Sequence, residues 1–185
     1  MGAEEVPKAE PALPASLPTF RELFEREFSY VWNVLRRLGV APRDLEDLTH
    51  QVFLQIHSRL SSFDGSRPLR PWLFAFALRA ASNHRKLARH RVELSIVAPD
   101  VADSRALADE QLIARQEREL AELALTRVAL DRRAVLLLHE IEGHTIPEIA
   151  RALDIPLNTA YSRLRLARQD YELAIRRLRA RRGES

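Results

Sequence analysis

Apolar residues recur at helical spacing along most of this chain. Phe20, Leu23, Phe24, Phe28, Val31, Trp32 and Leu35 make one wide face of a helix over residues 19–38, which Gly39 stops. Pro42 precedes a second stretch, residues 44–60, whose core face is Leu45, Leu48, Val52, Phe53, Ile56 and Leu60. Residues 61–71, with Gly65, Pro68 and Pro71, read as a loop, and a long helix is expected from Pro71 or Trp72 to about His90. Periodicity is lost over residues 95–110, where Pro99, Asp100, Asp103, Asp109 and Glu110 predict a linker. Helices resume over about 112–128 and 131–142, the second holding Val135, Leu136 and Leu138 inward. With five glycines and no alternating run long enough for a sheet, the pattern predicts an all-α protein. Pro7, Pro11, Pro14 and Pro18 among Ala and Glu predict a disordered tail over residues 1–18. The expected organisation is that tail, a helical domain over 19–92, a flexible linker over 93–111 and a second small helical domain over 112–182.

Residues 145–169 carry the most information. Thr145 and Glu148 have capping-box spacing, with Pro147 in the first turn, and Ile146, Ile149, Ala150 and Leu153 share a face. Asp154, Ile155 and Pro156 break the pattern, and Asn158 is placed to cap the next helix. There Ala160, Leu164 and Ala167 face inward, while Tyr161, Ser162, Arg165 and Arg168 face outward. This is a helix-turn-helix, whose second helix suits a DNA major groove. An ordinary helical hairpin with a solvated basic face has the same local pattern, so the rest of the chain must decide.

Charge supports DNA. Net charge is only +3, yet the pI is about 9.8. Gly65 to Val92 holds seven Arg or Lys and no carboxylate, and Ile155 to Arg182 holds eight Arg against Asp170 and Glu172. Two basic surfaces on two helical domains fit two contacts with a polyanion. The absence of cysteine excludes disulfides and thiolate-bound metal and fits a reducing cytoplasm. The longest apolar run, around Trp72 to Leu78, is too short to span a membrane, and the N-terminus lacks a signal-peptide pattern; a cytoplasmic location is expected.

The helix after the loop has an aromatic first half and a basic second half. Trp72, Leu73 and Phe76 should anchor it, leaving Arg79, Asn83, Lys86 and Arg85 outward for phosphates and bases. The loop before it, with Phe63, Arg67 and Arg70, has the residue types that hold an extruded base, although a plain interhelical loop has them too. The second helix begins with Asp44, Glu46 and Asp47 and exposes His50, Gln51 and Gln55. Acid there compensates the helix dipole, and it also suits a basic protein surface better than DNA.

An enzymatic reading finds little. His139, Glu140 and His144 approach the H-E-x-x-H zinc pattern, but the second His comes five residues after the first and Gly143 intervenes. There is no serine nucleophile elbow and no phosphate-binding glycine loop. No catalysis, cofactor or metal is expected.

The segments DLEDLTHQVFLQIHSRLSSFD, PWLFAFALRAASNHRK and LDRRAVLLLHEIEGHTIPEIARALDIPLNTAYSRLRLAR, in that order and spacing, resemble bacterial sigma factors of the extracytoplasmic-function (ECF) group, over about residues 19–175. The resemblance implies that Glu46, Asp47, His50 and Gln51 dock the β′ coiled coil of core RNA polymerase, with the β flap a further contact. It implies that the loop from Phe63 to Arg70, including Asp64 and Arg67, captures a flipped base of the promoter −10 element. Arg79, Asn83 and Lys86 would hold the rest of that element. Asn158, Thr159, Tyr161, Ser162 and Arg165 would lie nearest the bases of the −35 element, with Arg163 and Arg168 holding phosphates or pairing locally. An anti-sigma factor is an implied partner. The chain departs from the family pattern at His50, Arg79, Ala129, Ala160 and Tyr161, so promoter sequence does not transfer from relatives. A free-standing helix-turn-helix regulator is the competing reading; it leaves the aromatic-basic helix and the acidic helix start unexplained, and dependence on polymerase separates the two.

Overall fold

The computed structural model describes residues 19–92 and 109–183, and these are helical and turn residues with no strand among them. Helix α1 spans Phe20–Arg37. A reciprocal capping box starts it: the Thr19 N–H donates to Glu22 Oε2 at 2.8 Å, and the Glu22 N–H donates to Thr19 Oγ1 at 3.3 Å. Helix α2 spans Pro42–Arg59 and runs into a 3₁₀ turn, Leu60–Ser62. Helix α3 spans Leu69–Val92. It starts earlier than the prolines suggest, because Pro71 sits in the first turn, where a backbone N–H has no partner inside the helix. The three helices close around Leu23, Val31, Leu35, Val52, Phe53, Ile56, Leu73 and Phe74, all essentially inaccessible.

Helix α4 spans Asp109–Arg127, so the last three residues of the expected linker, 109–111, are helical. The rest of the expected linker and the expected tail lie outside the described residues. Helix α5, Leu130–Leu136, widens into a π-helical turn over Leu137–Ile141. Helix α6 spans Ile146–Leu153 and α7 spans Leu157–Arg182. Helix α7 is the hub of this half, packing on α4, α5 and α6. Its inward row, Ala160, Leu164 and Ala167, is buried with Val135, Leu138 and Ile149.

The two helical units touch, with α3 against α6 and α1 against α4. Arg133 fixes the seam: its side chain is buried at 2% exposure. One guanidinium nitrogen donates to Leu38 O at 2.8 Å, at the end of α1. The other donates to Thr126 O at 2.7 Å and Val128 O at 2.8 Å, at the end of α4. The cation therefore meets the negative ends of two helix dipoles instead of a carboxylate. Burial, with a smaller push from Arg85, lowers its pKa to about 10, so it stays charged at neutral pH. Gly39 is required beside it: its φ is +91°, and a β-carbon there would lie 2.8 Å from an Arg133 nitrogen.

Candidate nucleic-acid interface

The helix-turn-helix is α6, a short turn and α7. The Thr145–Glu148 capping box forms as expected, with the Thr145 N–H donating to Glu148 Oε2 at 2.8 Å. Hydrogen bonds from the Thr145 hydroxyl and backbone hold the Glu148 carboxyl below its ordinary value. Asp154 takes the left-handed conformation, φ 53°, and the Ile155 N–H reaches back to Ala150 O at 3.0 Å, which stops α6 sharply. The expected cap at Asn158 is not there. Pro156 occupies the N-cap position and has no side-chain acceptor for the helix N–H groups, and Asn158 lies inside the first turn. Proline presets the extended entry into α7, so Asn158 is left exposed at the start of the helix.

Two of the α7 arginines are tied down. Arg163 pairs with Asp131 at 3.3 Å and Arg168 with Glu140 at 2.6 Å, and both pairs clamp α7 to the α5 segment. Arg165 forms no ion pair among the described residues and is exposed. Asn158, Tyr161, Ser162, Arg165 and Arg168 line one open groove along the outer side of α7. Tyr161 is 54% exposed. Thr159 is half-buried and outside that groove, and its carbonyl accepts from the Ser162 hydroxyl at 3.0 Å. The Ser162 hydroxyl proton is used locally, so toward a ligand its oxygen acts as an acceptor.

The second face lies on α3 and the loop before it. Phe63 is buried, with its ring 4.7 Å from Trp72, which in turn meets Phe76 at 4.8 Å. Phe63 thus packs the loop onto α3. Asp64, Gly65, Ser66, Arg67 and Arg70 are exposed. Asp64 accepts from the Ser66 N–H at 3.0 Å and hydroxyl at 2.6 Å, bonds that hold its carboxyl below its ordinary value. Arg67 pairs with Asp64 at 3.2 Å. Arg70 bonds Glu27 at 3.2 Å and lies over the Tyr30 ring at 5.0 Å. Arg79, Asn83 and Lys86 are exposed on α3 as the period predicts.

The acidic helix start divides. Asp44 pairs with His84 at 3.2 Å. Glu46, Asp47, His50 and Gln51 remain exposed on α2. Sequence reasoning missed Leu54, which is 69% exposed one turn beyond them. Its only signal was an apolar residue outside the core-facing series. The approximate zinc motif closes on itself, His139 Nδ1 lying 2.9 Å from His144 O, and no group of side chains among the described residues is arranged for a metal.

Comparison with known proteins fits this geometry. Residues 23–91 match the family Sigma-70 region 2, and residues 118–170 match Sigma-70, region 4. The chain is 28% identical over 154 residues to the RNA polymerase sigma factor NccH of Alcaligenes xylosoxydans, covering 80% of this chain and 82% of that one. It is 26% identical to the ECF sigma-E factor of Haemophilus influenzae, over 86% of this chain and 88% of that one. Among solved structures, the sigma factor RpoE of Bartonella quintana, crystallised with the anti-sigma factor NepR, superposes with a TM-score of 0.67 at 18% identity, covering 85% of this chain and 96% of that one. CnrH, crystallised with the cytosolic domain of CnrY, superposes at 0.55 and 24% identity, over 83% and 85%. Two sigma-70 regions in the expected order, on a fold with an exposed helix-turn-helix, place this chain among the sigma factors of the extracytoplasmic-function group, which bind core RNA polymerase and direct it to promoters.

Proposed function

We propose a division of labour among three surfaces, one on each of α2, α3 and α7. The outer face of α7, with Asn158, Thr159, Tyr161, Ser162 and Arg165, reads the −35 element, while Arg163 and Arg168 orient the helix and reach phosphates. The loop from Phe63 to Arg70 and the α3 face of Arg79, Asn83 and Lys86 engage the −10 element. Glu46, Asp47, His50 and Gln51 dock polymerase, with Leu54 adding an apolar contact beside them. Residues 19–92 and 112–182 act as the two functional domains. The chain works in the cytoplasm, where core polymerase is, and performs no catalysis of its own. No helix among the described residues is long and apolar enough to cross a membrane. An anti-sigma protein is its regulator, as for the two structural relatives crystallised with one.

The observation that carries this reading is the contrast along α7. Arg163 and Arg168 are held by carboxylates, while Arg165, beside Tyr161 and Asn158 in the open groove, has no ion-pair partner among the described residues. The test is reconstituted transcription with core polymerase on genomic fragments of the source organism, with RNA 5′ ends sequenced. Discrete starts that need this protein are expected. Arg165→Ala should weaken those starts at least tenfold, about the loss of one good base contact, while leaving polymerase affinity unchanged. Asp47→Lys should do the reverse, lowering polymerase affinity in a competition titration. Starts without the protein, or loss of core binding in Arg165→Ala, would overturn the assignment.

A further inference from the structure

The first turn of α7 presents an apolar side chain that the fold does not use. Leu157 opens the helix directly after Pro156 and is 44% exposed. Leu153 and Ile155, just before it, pack on the core instead. A lone exposed leucine is ordinary on a protein surface, so its position carries the argument. Residues four apart share one side of a helix, with β-carbons about 6 Å apart. Leu157, Tyr161 and Arg165 therefore form one row along the outer side of α7, about 12 Å long. That is about the width of a DNA major groove, ~12 Å. Tyr161 is exposed and lines the open groove beside Arg165. The row runs from aliphatic to aromatic to cationic. Its two apolar members lie at the helix start, the end that reaches base edges in a helix-turn-helix.

We propose that Leu157 and the Tyr161 ring form an apolar edge that reads the C5-methyl group of a thymine in the −35 element. The proposal rests on the −35 role given above to α7, and it deepens that role by naming a base and the side chains that select it. A leucine side chain has no atom that donates or accepts a hydrogen bond. Against phosphates and base edges it gains only by covering apolar surface. In the major groove the thymine methyl is the apolar group that a base pair presents, and cytosine lacks it. Tyr161 adds ring area on the same side of the helix, one turn further in. The ring alone is required for this contact, not the hydroxyl. Arg165, next in the row, supplies the charged contact, so the start of α7 selects by shape and its next turn by hydrogen bonding.

The test uses the complete chain with core polymerase, on the promoters found by the transcription assay above. Each thymine of the −35 element, on either strand, is replaced singly by deoxyuridine, which removes the methyl and keeps every hydrogen-bonding atom. At one or two neighbouring positions the wild type should lose about three- to tenfold in transcription at limiting polymerase, the effect of uncovering one methyl and the surface it meets. Leu157→Ala should show a similar loss on the thymine template and no further loss with deoxyuridine there, because groups in contact are not additive. Tyr161→Phe should keep the wild-type sensitivity, and Tyr161→Ala should lose it. Both alanine variants should melt as the wild type does by circular dichroism, since both side chains are exposed. A leucine that only stabilises α7 would lower every template alike and leave the deoxyuridine effect intact; that result would overturn its role. No sensitive thymine, while Arg165→Ala still weakens the same starts, would overturn methyl reading and leave the −35 role of α7 standing. Indifference of the starts to Arg165→Ala and to replacement of the whole upstream element would remove the −35 role itself.

Discussion

Replacing Arg133 with methionine should separate the stability of the two helical units. The substitution keeps most of the volume and removes the cation. Three short bonds are lost, at 2.7, 2.8 and 2.8 Å, and three helix-end carbonyls lose their donor. A net hydrogen bond to a charged group contributes about 1.5–3 kcal/mol, but water reaches opened helix ends and methionine avoids the cost of burying a cation. Offsetting these gives a total loss of roughly 3–5 kcal/mol. Two of the three bonds lie inside the second unit, to Thr126 and Val128, and one crosses to Leu38. The split can be read directly, because the chain's two tryptophans, Trp32 and Trp72, both lie in the first unit. In urea titrations, tryptophan fluorescence should report a shift of about 1–2 kcal/mol, from the lost bond to Leu38 O and the longer one, 3.4 Å, to Arg37 O. Helical circular dichroism, which sees both units, should show a larger shift in the phase that fluorescence does not follow. Coincident transitions shifted by less than about 1 kcal/mol would refute the reasoning, since the guanidinium would then contribute no more than an ordinary surface group.

Two other perturbations follow from the same structure. Thr145→Ala removes the hydroxyl half of the capping box at α6 and should cost about 1 kcal/mol in the second unit, without a change in the tryptophan transition; thermal melts by circular dichroism check it. Burial raises the Glu142 carboxyl above its ordinary value of 4.5, against the opposing hydrogen bond from Tyr30. A raised acid holds its proton more tightly in the folded than in the unfolded state, so its stabilising contribution is complete below about pH 4.5 and is lost as pH rises through the folded value. Glu142→Gln should therefore equal or exceed wild-type stability at pH 7, with the difference shrinking as pH falls toward 4.5 in matched urea titrations. A difference that grows on acidification would contradict the sign.

Most of the site was legible because helices declare themselves in one dimension. Ala160, Leu164 and Ala167 at i, i+4 and i+7 put Tyr161, Ser162 and Arg165 on the opposite side of α7 by helical spacing alone, and burial follows that division. The capping box at Thr145 is likewise a three-residue signal, complete in the sequence. Asn158 misled because a capping residue type is common at helix starts, and only the backbone shows that Pro156 had already taken the position. Phe63 is an aromatic in a loop by sequence, and it becomes a buried ring against Trp72 only once α3 is folded beside it.

The sequence by itself determined the helices, their inward faces, the helix-turn-helix and the segregation of basic charge, since each depends on residues within a few turns of one another. Only the tertiary structure decided which charges are spent. Arg163 meets Asp131, 32 positions away, and Arg168 meets Glu140, 28 positions away, leaving Arg165 unpaired between them among the described residues. It also decided that Arg133 is a buried bridge and that Tyr30 reaches Glu142 across 112 positions. Nothing local distinguishes Arg133 from Arg132, its neighbour, which pairs with Asp170 at the surface. The distinction arises when the ends of α1 and α4 bring bare carbonyls to one point, because an unsatisfied helix end attracts a cation wherever the fold places one in reach.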